Sequence, residues 1–435
     1  MSRRARIISS LFISIGFLLF SYWVTNLHLP ISGEKILLTK LEVLHDYLWP
    51  RDNKIIDSVL FVNVTYDKEL RPVYDKSPDG IDIAPAGRIP ITDRHKLLKL
   101  LQYLQEKDDY KYILLDVFFG DDVKTEWDEA LFSTIISMPR IVIPYHKDAT
   151  IADERLIQKA GLADYLTTFL ESDFVKFPYL CDTEQSIPVK MYEEITGRKI
   201  KKHGFFYTDG LYLVRSSIIL TFDLLANETY VSDGVNDVKV WNNLGMDLLD
   251  DTIPEMDAIG DNLLYTIPEM TQNKYIVIGS FQGDDMHKTF LGEQSGAVII
   301  FNAFISLLHR HHIVSIFLII ILFVTFFVLS YLTLSKMQLK DKLGELAKSS
   351  QNKMLRRCLK VLSWICSWVG FSFFLSVLCV ITYVTLGETY DILITSTLFS
   401  FFYAIVISFD KVRFFIITLY NKIHTRIILL WNTRK

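Results

Sequence analysis

Four uncharged runs of about twenty residues constrain most strongly what this chain can fold into. They occupy residues 7–27, 313–334, 361–384 and 392–409. A helix rises about 1.5 Å per residue, so each run is long enough to cross the hydrocarbon core of a bilayer. The sequence therefore predicts four transmembrane helices and one large segment, residues 28–312, outside the bilayer.

Charge divides the chain in the same places and predicts its orientation. Residues 28–312 hold 29 Lys and Arg against 45 Asp and Glu, a net charge of −16, whereas the rest of the chain carries +12. Short basic segments stay in the cytoplasm. We therefore expect residues 28–312 and a short loop, 385–391, to be extracytoplasmic. The cytoplasmic parts are then residues 1–6, 335–360 and 410–435, the last a basic amphipathic tail that lies on membrane lipid.

The first hydrophobic run reads as an uncleaved anchor. The residues that follow its apolar centre, 21–27, include an interfacial Tyr-Trp pair and have no Ala-x-Ala-like cleavage site. Of the four cysteines, Cys181 alone falls within residues 28–312, so no disulfide can form inside that segment. The segment is long enough to be stable through its own core. The formal net charge of −4 argues against nucleic-acid binding.

The pattern of residues 28–312 is that of an α/β domain with a mixed or parallel sheet and covering helices. Strands are predicted at 58–64, 112–118 and 140–144, with a leucine-rich helix around 97–104 and another helix at 127–136. Alternation of strands and helices at this spacing is typical of parallel sheets.

The rest of the segment is predicted in less detail. Residues 77–90 read as a Gly/Pro/Asp-rich loop, and residues 147–273 as antiparallel strands or loops. A strand at 274–279 and an apolar helix at 296–308 follow, and this helix leads almost directly into the second hydrophobic run.

Two acidic positions follow predicted strands. Asp116 ends one strand, and Asp285 comes after the strand at 274–279. Ligands bind beyond the carboxyl ends of strands in open α/β sheets, so the two carboxylates converge if these strands are neighbours. Close carboxylates can bind a cation or exchange protons. The alternative is that Asp116 caps loop amides while residues 121–128 form a solvated acidic face.

The segment 279–289 is the densest polar cluster. It is not a phosphate-binding loop, because His287 stands where such a loop has glycine before Lys-Thr. Asp284, Asp285 and His287 are suitable ligands for a divalent metal, but their spacing fits no known metal motif. The alternative is that Asp285 and His287 hydrogen-bond the loop and fix its shape. We predict no metal, no cofactor and no catalytic residues.

Three histidines, His309, His311 and His312, precede the second hydrophobic run. Imidazoles change charge between about pH 5 and 8, which makes them candidates for pH sensing. The alternative is that they mark the water interface of the membrane.

Several motifs occur in an order that resembles a known family. They are Arg88-Ile-Pro90 with Arg94 before the leucine-rich helix, Leu115-Asp-Val-Phe-Phe119, Asp128-Glu-Ala-Leu131, Asp209-Gly210 with Arg215, and the long stretch from Lys274 to Leu308. This set resembles CHASE2 domains, which are extracytoplasmic sensory domains of bacterial receptors. Phe290 and Ser295 stand where the family's last motif has prolines, and Phe301 where it has histidine.

The resemblance implies a protein of the bacterial cytoplasmic (inner) membrane with a periplasmic sensory domain. Family members commonly carry a kinase or cyclase domain after the last span. Only a basic tail follows here, so we expect signalling through a separate cytoplasmic partner, and a homodimer by analogy. The expected ligand is an unidentified small molecule or envelope protein, in a crevice formed by Asp116, Phe118, Asp285, His287, Thr289 and Asn302.

Two other functions remain open at this point. The acidic domain can serve as a docking surface in a membrane complex, with no ligand of its own. A membrane-bound hydrolase or metal-dependent enzyme that uses Asp116, Asp285 and His287 is the third possibility, although no known catalytic motif occurs.

Overall fold

A computed structural model describes most of the chain. The described residues are 2–26, 58–76, 82–121, 123–167, 174–181, 184–219, 240–242, 271–281, 285–289, 292–334, 339–365, 377, 380 and 381. The chain divides into two compact units: one comprises Met1–Asn26 with Val314–Lys435, and the other comprises Leu27–Ile313.

Helices occur in both units. In chain order they are α1 (Arg3–Thr25), α2 (Arg94–Lys107), α3 (Asp128–Ser137), α4 (Ile187–Thr196), α5 (Gly296–Leu308), α6 (Ile316–Leu334), α7 (Leu339–Ser349) and α8 (Lys353–Ile365). A short 3-10 helix covers Glu154–Gln158.

All described strands belong to the unit Leu27–Ile313. They are β1 (Val59–Asn63), β2 (Lys68–Lys76), β3 (Asp82–Thr92), β4 (Tyr112–Leu115), β5 (Ile141–Tyr145), β6 (Ala160–Leu162), β7 (Leu166–Thr167), β8 (Phe174–Pro178), β9 (Leu180–Cys181), β10 (Glu184–Gln185), β11 (Ile200–His203), β12 (Phe206–Asp209), β13 (Tyr212–Val214), β14 (Ser217–Ile219), β15 (Val240–Asn242), β16 (Tyr275–Gly279), β17 (Met286–Thr289) and β18 (Gly292–Ser295).

The main sheet is parallel and has six strands in the order β15-β1-β16-β4-β5-β6. β16 lies between β1 and β4, although it follows β4 by about 160 residues in the chain. The predicted α/β class is therefore confirmed: the structure has a parallel sheet with covering helices.

Alternating side chains of the strands fill two cores, one on each face of the sheet. Leu60, Ile113 and Ile276 join a buried cluster with leucines of α2 and apolar residues of α3. Phe61, the next residue of β1, points to the other face, where its ring meets that of Phe301 in α5 at 6.3 Å between centroids. A strand buried on both faces must be apolar throughout, as these strands are.

The ends of α2 follow ordinary capping rules. Asp93 accepts hydrogen bonds from the backbone nitrogens of His95 and Lys96, both at 3.0 Å, and so fixes where the helix begins. Thr92, the residue before this cap, is the last residue of β3.

Three predicted elements differ from the structure. The strand expected at 112–118 ends at Leu115, which leaves Asp116 and Phe118 in the loop beyond the sheet. Much of the predicted loop 77–90 belongs to β3, which pairs with β2 in an antiparallel hairpin that has irregular register. A hairpin accommodates prolines at such irregularities, and a composition-based prediction takes them for a loop. The middle segment contains the expected antiparallel strands, β11 to β13, and also an unpredicted helix, α4.

The described residues of the unit that comprises Met1–Asn26 and Val314–Lys435 are mostly helical. Within the described part of the chain, one helix over Arg3–Val24 is long and apolar enough to cross a membrane, and a signal sequence would satisfy the same criterion. The apolar stretch Ile316–Tyr331 is shorter. Phe17 of α1 and Phe326 of α6 contact each other, with ring centroids 5.7 Å apart. The predicted spans 361–384 and 392–409, and the tail 410–435, lie largely or wholly outside the described residues.

Candidate functional site

A cleft opens at the carboxyl edge of the parallel sheet, beside β1, β16 and β4. Its volume is about 270 Å³. Such edges are the usual ligand sites of open α/β sheets, because the loops that leave neighbouring strands diverge there. The residues that line it are Val64, Lys68, Pro90, Ile91, Thr92, Arg94, Asp116, Val117, Phe118, Ser280 and Asp285.

Two carboxylates converge at the first residue of α5. A Cβ atom built on Gly296 would lie 3.2 Å from Oδ2 of Asp116, and 3.0 and 3.2 Å from the two carboxylate oxygens of Asp285. A side chain at this position would push the carboxylates aside. The predicted convergence is confirmed, and its cause is the pairing of β16 with β4.

Asp116 is electrostatically strained. Its Oδ2 atom is buried and has no hydrogen-bond partner, so this oxygen does not cap loop amides. Burial raises the pKa of Asp116 well above its usual value of 3.8, and the negative charge of Asp285 raises it further. A positively charged group in the cleft would relieve both effects.

His287 contacts Asp285. Its Nε2 lies 3.3 Å from Oδ1 of Asp285, and its Nδ1 lies 2.7 Å from the hydroxyl of Tyr165. His287 does not line the cleft. The geometry matches the alternative in which Asp285 and His287 fix the shape of the loop. Asp284 lies outside the described residues, and no group of three possible metal ligands occurs among those that are described.

Two cationic residues of the cleft were not among the predicted site residues. Lys68, at the start of β2, is exposed, and its Nζ lies 3.3 Å from Oγ1 of Thr92. Arg94, at the start of α2, is buried and reaches Oδ1 of Asp128 at 3.3 Å. The Arg-x-Pro…Arg motif pointed to Arg94, whereas no pattern in the sequence marked Lys68.

Of the other predicted site residues, one lines the cleft and two do not. Phe118 lines the cleft as expected. Thr289 does not, because its hydroxyl closes the β17–β18 turn by donating to the carbonyl of Gly292 at 2.7 Å. Asn302 does not line the cleft either, since it is fully buried within α5 and its side-chain amide donates to the carbonyl of Val298 at 3.0 Å.

The acidic run 121–128 is not a uniform solvated face. Asp121 is exposed, but Asp128 is buried. Asp128 accepts from the backbone nitrogen of Thr125 at 3.0 Å and from its hydroxyl at 2.7 Å, and it also pairs with Arg94. Asp128 therefore fixes the guanidinium of Arg94 beside the cleft.

A second buried polar cluster surrounds His312, the second-last residue of the α/β unit. Nε2 of His312 lies 3.3 Å from Oδ2 of Asp209, which also accepts from the Tyr192 hydroxyl at 2.8 Å. Arg198 lies 3.6 Å from the same oxygen. His312 and Asp209 are completely buried, so His312 does not mark a water interface. Burial lowers the pKa of His312 to about 4, although Asp209 opposes the shift.

We predict that Asp116→Asn stabilises the protein at neutral pH. The folded state holds the Asp116 proton to a higher pH than the unfolded state does. Its favourable contribution is therefore complete below about pH 3.8 and is lost as the pH rises through the folded pKa. Chemical unfolding of the full chain in detergent should show the variant's advantage growing between pH 4 and 8 to on the order of 1 kcal/mol.

The matched control is Asp121→Asn, which removes an exposed carboxylate from the same loop. It should leave the pH dependence of unfolding as in the wild type. An Asp116→Asn variant that is less stable than the wild type at pH 8 would show that the ionised carboxylate has a stabilising partner.

We predict that His312 makes the fold sensitive to acid. Unfolded histidine has a pKa near 6.5, so stability from neutral His312 is complete above that pH and is lost as the pH falls toward about 4. The loss is at most about 3.5 kcal/mol, because the pKa falls by about 2.5 units and each unit is worth about 1.4 kcal/mol. In His312→Gln, unfolding should depend less on pH over this range. His203→Gln, at an exposed position, should keep the wild-type slope; equal slopes in all three proteins would contradict the assignment.

Comparison with known proteins found no match for this chain. No family model matches the chain, and no curated protein or solved structure is similar to it. The resemblance to CHASE2 domains therefore depends on the motifs quoted above, and the chemistry of the cleft is the basis for assigning a function.

Proposed function

We propose that this chain is a multi-pass receptor of the bacterial inner membrane whose α/β domain recognises a small ligand outside the cytoplasm. The observation that carries the proposal is the cleft at the sheet edge with the carboxylates of Asp116 and Asp285 converging in it. A buried carboxylate oxygen without a hydrogen bond lowers stability, and folded proteins keep such costs mainly at functional sites.

Recognition explains the cleft better than catalysis does. The hydroxyl of Ser280, the one serine among the described residues of the lining, lies 3.1 Å from Oγ1 of Thr65. His287 contacts Tyr165 and Asp285 and does not reach the lining. Acyl or phosphoryl transfer by a side chain would need a nucleophile paired with a general base, and neither of these contacts is such a pair.

The helix α5 offers a route for the signal. Its first residue, Gly296, lies beside both carboxylates, and the helix is buried along almost its whole length. It ends at Leu308, and seven residues separate it from α6, which begins at Ile316. A ligand that changes the separation of Asp116 and Asp285 acts directly on the start of α5. We propose that this displacement reaches the membrane helices and a separate cytoplasmic partner, with a homodimer as the signalling unit.

The membrane arrangement rests on charge and hydrophobicity. We propose four spans, with the acidic unit outside the cytoplasm and the basic loop and tail against anionic lipid. A docking role in a membrane complex, without a ligand, remains the competing function. Its distinguishing property is that it does not need the cleft.

We predict opposite labelling of two single-cysteine proteins. One carries Leu211→Cys, at a fully exposed position of the α/β unit, and the other keeps only Cys358, which is exposed in α8. A membrane-impermeant maleimide applied to intact spheroplasts should label the first and not the second. After permeabilisation both should react. Labelling of Cys358 alone in intact spheroplasts would reverse the topology and remove the receptor proposal.

We predict that a small metabolite raises the melting temperature of the full chain in detergent. The probes are a panel of single compounds comprising sugars, carboxylic acids, amines, amino acids and nucleotides. At least one should stabilise the wild type and Asp121→Asn by several degrees but not Asp285→Asn, because binding to the folded state raises stability by mass action. If no compound acts, while a membrane protein co-purifies equally with wild type and Asp285→Asn, the docking function is favoured instead.

A further inference from the structure

The cleft carries charges of both signs, and they come from different elements. The two carboxylates follow β4 and β16, whereas Lys68 and Arg94 come from the β2–β3 hairpin and the start of α2. A purely cationic ligand would satisfy the carboxylates and face Lys68 and Arg94. A purely anionic ligand would face Asp116 and Asp285. Only a ligand with both charges complements the whole lining.

The acidic side suits a compact ammonium group. Oxygens of Asp116 and Asp285 lie within 3.2 Å of one common point, the Cβ position of Gly296. The two side chains therefore converge on one region, where a single –NH₃⁺ group would find acceptors on both, since ammonium has three donors. Oδ2 of Asp116 is buried and has no hydrogen-bond partner, so an ammonium group drawn in between the two side chains would supply its missing donor. Asp285 is also positioned by His287, whose Nε2 lies 3.3 Å from its Oδ1.

The basic side suits a carboxylate. Lys68 is exposed and lines the cleft, where its Nζ lies 3.3 Å from Oγ1 of Thr92, another residue of the lining. Arg94 lies deeper, where Asp128 holds one nitrogen and the guanidinium stacks at 4.6 Å from the centre of the Phe119 ring. Lys68 is therefore the direct contact, and Arg94 supplies a fixed positive charge behind it.

The size and remaining lining limit the ligand further. About 270 Å³ lies just below the usual range for drug-sized pockets and is adequate for a single small metabolite. Pro90, Ile91, Val117 and Phe118 provide apolar surface beside the charged groups. The lining therefore accommodates a short hydrocarbon side chain between its polar groups.

We propose that the cleft binds a free α-amino acid, with its ammonium between Asp116 and Asp285 and its carboxylate on Lys68. This inference rests on the proposed ligand-recognition function and assigns its ligand class. It predicts that both charged ends are needed, which no single-charge site would require.

The test uses the full chain in detergent and isothermal titration with the twenty standard amino acids. For each that binds, two probes follow: its N-acetyl derivative, which lacks the ammonium, and its decarboxylated amine, which lacks the carboxylate. Each loss should weaken binding at least tenfold, because each leaves charged groups of the cleft unpaired.

Matched variants test which residues bind the ammonium and the carboxylate of the amino acid. Asp116→Asn, expected to fold with increased stability, should lose at least tenfold in amino-acid affinity, so that misfolding cannot account for the loss. Lys68→Gln should weaken binding of the amino acid tenfold and should not weaken binding of its decarboxylated amine, which has no carboxylate for Lys68 to contact. Asp121→Asn and Lys201→Gln, at exposed positions away from the cleft lining, should bind as the wild type does.

The outcomes separate this inference from the proposed function. If another compound of the panel binds and no amino acid does, the amino-acid assignment is wrong and the receptor function stands. The same holds if the N-acetyl derivative binds as tightly as the amino acid. If no compound binds the wild type at all, both proposals are overturned.

Discussion

The parallel pairing of β16 between β1 and β4 is the interaction on which the rest of the α/β unit depends. Five consecutive residues of β16 pair with β1 and four pair with β4, although both neighbours precede β16 by more than 150 residues. This pairing completes the sheet and places the loop that carries Asp285 beside Asp116. The packing of α5 on β16 requires Gly279, where a Cβ would lie only 2.9 Å from that of Ala297. The cleft therefore exists only after the chain has closed a loop of more than 150 residues, which is a slow step in folding.

Local patterns in the sequence were sufficient for the elements that form the core. Continuous apolar runs predicted β1, β4, β5 and β16, and helical spacing of leucines predicted α2, because strands buried on both faces and amphipathic helices have distinct periods. The rule that ligands bind beyond the carboxyl ends of strands also predicted that Asp116 and Asp285 lie close together. These inferences succeeded because they depend on interactions near in sequence or on the geometry of the whole sheet.

The remaining features depend on partners that no local pattern identifies. Thr289 and Asn302 carry suitable groups for a site, yet each hydrogen-bonds its own hairpin or helix. Lys68 enters the cleft only because the Gly/Pro-rich segment that looked like a loop is a strand paired with β2. His312 is buried in contact with Asp209, which lies about 100 residues earlier in the chain. Long-range contacts of single side chains have no period, so composition and spacing do not reveal them.

Gly296 has a consequence for how this domain can diverge. The hydrogen atom at its α-carbon leaves room for the carboxylates of Asp116 and Asp285, whose tips are the atoms nearest to any substituent there. Alanine at this position would spread the pair rather than disrupt the helix, since side-chain tips move more easily than backbone. The size of residue 296 thus sets the distance between the carboxylates of Asp116 and Asp285. A single substitution there would change which cations fit between them and leave the sheet as it is.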